Sequence, residues 1–148
     1  MTRVRQRGVT LLELMTVVMI IGILSAIAIP SYRGYLMRAQ RSDATAALLR
    51  VAQAQEKFYL QNNRYATNAE LALAPPAGLG FARTEHELYT VTLAAVPNNT
   101  LTFLATATPV AAGPQSKDAA CVTFTIDQQG TRGAKNKATT DSTETCWR

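Results

Sequence analysis

The chain has 148 residues, a one-domain length, and 47% of them are hydrophobic, unevenly spread. Its formal charge of +5 points toward an anionic partner, but Arg3, Arg5 and Arg7 supply three of those charges. Without them 12 basic side chains face 10 acidic ones, a net of +2, and bulk charge no longer argues for nucleic acid.

The first predicted element is the run in "RQRGVTLLELMTVVMIIGILSAIAIP", residues 5–30. From Val9 to Ile29 it holds about 21 residues, roughly 31 Å as a helix, the thickness of a bilayer's hydrocarbon core. Glu13 is its only ionisable side chain. A charge at the centre of a membrane helix costs about 2.5–3.5 kcal/mol on insertion scales, so an acid there implies a use. Gly22 and Pro30 are the helix-weakening positions of the span. The small residues Gly22, Ser25, Ala26 and Ala28 permit close helix packing.

Three readings compete for this end: a secretory signal cut near Ala26-Ile27-Ala28, a plain single-span anchor, and a leader cut before the apolar run. Gly8 sits at the cytosolic edge of the run, where a peptidase can reach it. A cleavable signal gains nothing from Glu13. Helix formers also continue past Pro30 through "SYRGYLMRAQRSDATAALLRVAQAQEKFYLQNN", and a signal peptide has no reason to join a second helix of about 30 residues. These points favour the leader. Arg33, Arg38 and Arg41 beyond the run nearly balance the three leader arginines, so the positive-inside count decides little. Cys121 and Cys146 read as one disulfide in an oxidising compartment, which puts the C-terminal side outside the cytosol.

"RGVTLLELMTVVMIIGILSAIAIPSY", "AQEKFYLQNNRYA" and the C-terminal "CVTFTIDQQG…CW" together resemble the type IV pilins (type IVa), and most of all their minor pilins of the PilE type. The resemblance implies residues 1–8 as a leader cut after Gly8 and residues 9–30 as a transmembrane and assembly helix. Residues 31–148 become a periplasmic pilin domain. It implies N-methylation of Val9, where the family usually has Phe, and recruitment when Glu13 meets the terminal amine of a neighbouring subunit. The segment between Gly22 and Pro30 is implied to loosen when helices bundle. Implied partners are other pilin subunits, the prepilin peptidase and methylase, and an inner-membrane assembly platform. The implied roles are those of a pilus or tip-complex subunit in twitching, adhesion or DNA uptake. A type II secretion pseudopilin is the nearest rival, disfavoured by the cysteine pair. A pilin-fold module that binds DNA or an adhesion target is another.

From Ser31 to about Asn62 the helix turns amphipathic: Leu48, Ala52, Gln55 and Tyr59, flanked by Leu49, Glu56 and Leu60, form an imperfect stripe expected to cover a sheet. Turn residues follow in "NNRYATNAEL" and "ALAPPAGLG". Three strands are predicted: "HELYTVTL" with Tyr89, Val91 and Leu93 on one face, "LTFLATAT", and "CVTFTID" with Val122, Phe124 and Ile126 alternating against threonines. "VPNNT" and "DQQG" are the turns, and such short connections imply antiparallel pairing. The expected fold is α+β, a long N-terminal helix, half transmembrane and half amphipathic, on three or four antiparallel strands. The segment "TRGAKNKATTDSTET" has too few apolar residues to anchor itself, so the disulfide should hold it. By resemblance it is the pilins' variable surface loop.

No catalytic constellation is legible, and no cofactor or metal is expected. His86, at the start of a predicted strand, has no sequence-level partner and is expected at the surface. Two cysteines without a nearby histidine do not make a zinc site. Asp118, Asp127 and Asp141 lack calcium-ligand spacing. Lys117, Arg132, Lys135, Lys137 and Arg148 cluster in the C-terminal loop and offer charge for DNA phosphates. No aromatic residue interleaves with the run from Arg132 to Lys137 to stack bases, so a solvated loop is the preferred reading.

Overall fold

The computed structural model describes residues 9–81, 83–96 and 99–148. Gly8 and the rest of the expected leader lie outside them, as does part of the "VPNNT" turn. The chain divides into two units, residues 1–36 and 37–148.

In the first unit the dominant element is the helix α1, Leu11–Asn62, which continues into the second unit without a break at Gly22 or Pro30. Thr10 starts it: its hydroxyl accepts the Glu13 N–H at 3.2 Å, satisfying one of the donors a helix N-terminus leaves open. The apolar side chains from Val9 to Ile29 are exposed. Among the described residues α1 is the one helix long and apolar enough to cross a membrane, by length and composition.

The second unit is a four-stranded antiparallel sheet in the order β1-β2-β3-β4, comprising Tyr89–Val96, Asn99–Pro109, Thr123–Asp127 and Arg132–Lys135. Strand alternation decides its inner face. Tyr89, Val91 and Leu93 of β1, Phe103, Ala105 and Ala107 of β2, Phe124 and Ile126 of β3, and Ala134 of β4 are buried. They form one core with Ala44, Ala47, Leu48, Val51 and Phe58 of α1. The predicted strands are therefore present with the predicted inward residues, except that Val122 precedes β3 and is only half-buried.

The expected helical stripe needs correction. Val51 and Phe58 are buried in the core, Ala52 is half-buried and packs against it, Tyr59 is half-buried, and Leu49, Glu56 and Leu60 are exposed, Leu60 at 82%. Alanine and leucine recur on several faces of this helix, so more than one stripe satisfies the 3.6-residue period. Gln55 is buried as expected, for a polar reason: its amide exchanges two hydrogen bonds with the backbone of Ala66, at 2.8 and 3.0 Å, and pins the loop after α1. Arg64 and Glu70 clasp across that same loop at 2.8 and 2.6 Å.

The tail is likewise better held than expected. Residues 132–135 form β4 against β3, and Thr143–Cys146 form a short helix, α2. Ser142 N–H donates to Ala134 O, and Trp147 Nε1–H donates to Gly133 O at 2.8 Å. An edge strand is held by backbone bonds, which need no apolar pattern, so periodicity misses it. Cys121 and Cys146 are bonded, with Cα atoms 5.9 Å apart. "DQQG" is a turn as predicted: Gly130 N–H donates to Asp127 O, and Gly130 has φ +76°, where glycine costs nothing.

Candidate functional site

Each unit carries one candidate region. In the first it is the segment from Val9 to Pro30. The capping turn at Thr10 puts Glu13 in the first turn of α1. Glu13 is exposed among exposed apolar chains, and among the described residues its carboxylate has no partner. A Cβ built on Gly22 would touch nothing within 4 Å, and Pro30 is exposed, so this stretch presents a low-profile surface. The Thr10 and Thr16 hydroxyls bond only the backbone of Glu13, and among the described residues no side chain reaches its carboxylate.

The second region lies on the last third of the chain, where ion pairing has sorted the charges. Arg41–Asp118, Arg50–Glu85, Arg64–Glu70, Arg83–Glu87 and His86–Asp43 occupy five carboxylates. Among the described residues Lys117, Arg132, Lys135, Lys137 and Arg148 belong to no ion pair, nor do Arg38 and Lys57 on α1. The backbone gathers the C-terminal five. Lys137 N–H donates to Ala119 O, two residues past Lys117, and Lys135 O accepts Val122 N–H. At the other end of β4, the Arg132 guanidinium lies over the Trp147 ring, 5.3 Å from its centroid. An aromatic residue thus stands beside the cationic run after all. Trp147 lies outside that run in sequence and reaches it through α2 and the disulfide.

The outer face of the sheet completes this surface. Registers Thr90↔Thr108, Thr92↔Thr106 and Thr106↔Thr125 align threonines across three strands. Among the described residues the hydroxyls of these threonines and of Thr123 have no protein partner. An open cavity of about 370 Å³ is lined by Thr106, Thr123, Thr125, Arg132, Lys135 and Asp141, among others. Gly133 keeps it open, because a Cβ there would come 2.6 Å from Thr125 Oγ1. The signal for this face is in the sequence, as Thr-x-Thr in each of the three strands.

The three acids weighed for calcium do separate jobs. Asp118 is gripped by Arg41, Asp127 accepts the N–H groups of Gln129 and Thr131, and Asp141 accepts the hydroxyl and N–H of Thr143. Those Thr143 bonds hold the Asp141 carboxyl below its usual range, so it remains an anion beside Lys135. Among the described residues no three His, Cys, Asp or Glu side chains group to hold a metal. His86 is exposed, as expected, but it sits in a turn before β1 and has a partner, its ring Nδ1 lying 3.0 Å from Asp43 Oδ1 on α1. A partner 43 residues away is invisible to local sequence.

Comparison with known proteins places these features. The family model described as "Type IV minor pilin ComP, DNA uptake sequence receptor" matches residues 30–125. The chain belongs to this type IV minor pilin family. A prokaryotic N-terminal methylation motif matches residues 3–29. The type IV major pilin protein PilA of Myxococcus xanthus is 45% identical over 75 residues, covering 50% of this chain and 34% of that protein. The fimbrial protein EcpC of Eikenella corrodens is 37% identical over 115 residues, covering 76% and 71%. The non-core minor pilin PilV of Neisseria meningitidis shares the fold, with a TM-score of 0.51 at 22% identity over 69% of this chain and 89% of that one. The chain spans about a third of the length of the first curated relatives it matches. Family and fold are structural rather than catalytic.

Proposed function

We propose that this chain is a minor subunit of a type IV pilus. It is cut after Gly8 and methylated at Val9. Residues 9–30 hold it in the bacterial inner membrane, with residues 31–148 on the periplasmic side, until it is drawn into the filament or its tip. One observation carries this reading. An apolar helical surface from Val9 to Ile29 stands exposed, with a single unpartnered acid, Glu13, in its first turn. Cutting after Gly8 creates an α-amino group one turn before that acid, with a reference pKa of about 8. Lipid covers the apolar side chains, and in a bundle the carboxylate can meet either its own amine or a neighbour's, of which the neighbour's also fixes register. Assembly therefore selects the neighbour that completes the pair. The test is Glu13→Gln. Removing a charge eases residence in the membrane, so processed subunit should accumulate normally while sheared pilus fractions lose it. Normal incorporation of the Gln variant would overturn the mechanism.

A second reading, DNA reception at the filament surface, is favoured by the five unpaired C-terminal cations and the Arg132–Trp147 stack. The family model's description names a DNA uptake sequence receptor. Fluorescence anisotropy of the full chain with a pool of random short duplexes tests it. Binding should weaken when Lys117, Lys135 and Lys137 are changed to Gln. A wild-type chain with no measurable binding sinks the reading.

A further inference from the structure

We infer that Arg132 is the residue that reads sequence, through the edge of a guanine, while Lys117, Lys135 and Lys137 only hold the phosphate backbone. The inference rests on the DNA reading above. The five unpaired cations are not equivalent. The lysines are ammonium groups on flexible stems, held by no ion pair or side-chain hydrogen bond among the described residues, and such a charge attracts phosphate without regard to sequence. Arg148 spends its Nε–H on Glu144 O. Among these five cations Arg132 alone sits over an aromatic ring: its Cζ lies 5.3 Å from the Trp147 centroid, and among the described residues no acid pairs with its guanidinium.

Trp147 is itself fixed three ways. Its Nε1–H donates to Gly133 O at 2.8 Å, its ring meets Phe124 edge-on at 6.4 Å, and it follows the buried, disulfide-bonded Cys146. Three carboxylates line cavities with Arg132, and each has another partner: Asp127 and Asp141 accept N–H groups and a hydroxyl of their own turns, and Glu56 accepts the Tyr65 hydroxyl at 2.9 Å. The two parallel donors of an arginine fork match the O6 and N7 acceptors of guanine, the commonest specific protein–DNA contact. Beside it the groove offers Lys135 and the free hydroxyls of Thr106, Thr123 and Thr125, donors suited to the adjoining phosphates. Trp147 is a positioning residue in this arrangement: it orients the fork and need not touch DNA.

The experiment uses the full chain in detergent micelles and a random-sequence pool of short duplexes. Bound DNA is sequenced, and affinity is measured across a salt series. Wild type should enrich a sequence containing a required guanine. Replacing that guanine by 7-deazaguanine, which lacks N7, should lower affinity on the order of tenfold. Arg132→Lys should keep binding to the unselected pool and the same salt slope, yet lose the enrichment. The lysine-to-Gln variants should weaken binding to every sequence alike and flatten the salt slope by roughly 0.9 per residue removed. Trp147→Ala should lose enrichment, and Trp147→Phe, which keeps a ring under the guanidinium, should retain much of it. Enrichment of the same sequence by Arg132→Lys overturns the assignment and leaves the DNA reading standing. Absence of binding by wild type overturns both.

Discussion

Arg41 on α1 and Asp118, 77 residues further along, form a two-point clasp: Nε donates to Oδ2 at 2.7 Å and Nη2 to Oδ1 at 3.0 Å. Oδ1 also accepts the N–H groups of Ala120 and Cys121, and the Asp118 side chain is only 3% exposed. One carboxylate thereby joins the helix to the start of the disulfide-closed loop. Removing one partner of a buried pair typically costs about 3–5 kcal/mol. Asp118→Ala should therefore lower the unfolding free energy of the 37–148 unit by about that much, read as a lowered denaturant midpoint at unchanged slope. The double variant Arg41→Met, Asp118→Leu should recover part of the loss, because no charge is stranded. It should not recover all of it, since two amides still lack their acceptor.

The Cys121–Cys146 bond closes a loop of 25 residues, worth roughly 3.5 kcal/mol by chain entropy. Replacing both cysteines by Ser should cost up to that amount without releasing β4, whose ladder to β3 and Ser142–Ala134 bond remain. Hydrogen exchange should quicken around residues 143–148 and stay slow at Phe124 and Ile126. Loss of protection throughout β3 would mean that the bond, not the ladder, holds the sheet edge.

Glu70 supplies a pH limb. The bidentate Arg64 guanidinium, opposed by partial burial and reinforced by the Thr67 N–H and hydroxyl, lowers its carboxyl from an ordinary 4.5 to about 2. A carboxyl depressed on folding contributes its stability in full above its unfolded value and loses it as pH falls through the folded one. Glu70's share should therefore be complete above about pH 4.5 and vanish toward pH 2. The difference in stability between wild type and Glu70→Gln should shrink across that window. A constant difference would show that the Arg64 clasp does not couple to folding.

Processing is checked by mass. The chain recovered from membranes should begin at Val9 and carry one added methyl group on its α-amine. A chain beginning at Ile29 would make it an ordinary secreted protein.

The parts of this fold that rest on neighbours in sequence were legible there. Thr-Val-Thr-Leu and Val-Thr-Phe-Thr-Ile alternate because each strand has one wet and one dry face, and the dry residues were identified correctly apart from Val122. The apolar run and its single acid needed only counting. What escaped was decided by distant contacts. The phase of the α1 stripe is set by packing in the common core with the sheet, where Phe58 is buried and Tyr59 only half-buried. Tyr59 instead packs on Tyr65, their ring centroids 4.9 Å apart. Arg132 and Trp147 are joined by a fold-back that no local pattern announces. His86 finds Asp43 only once the loop after α1 has closed.

The way the tail ends has a consequence for self-association. β4 is the outermost strand, and unpaired edges recruit strands from other chains. Here the chain's own terminus uses up that edge. Ala134 N–H goes to Thr143 Oγ1, Ala134 O receives Ser142 N–H, Gly133 O receives the Trp147 indole, and Lys135 bridges to Asp141. On the opposite side Arg83 bridges to Thr90 of β1. The β4 border of the sheet is thus closed to a visiting strand, so copies crowded together in a membrane are denied that amyloid-like route to one another. Contact between copies is left to side chains and to the exposed apolar surface of α1, where pairing can be made and undone without opening a fold.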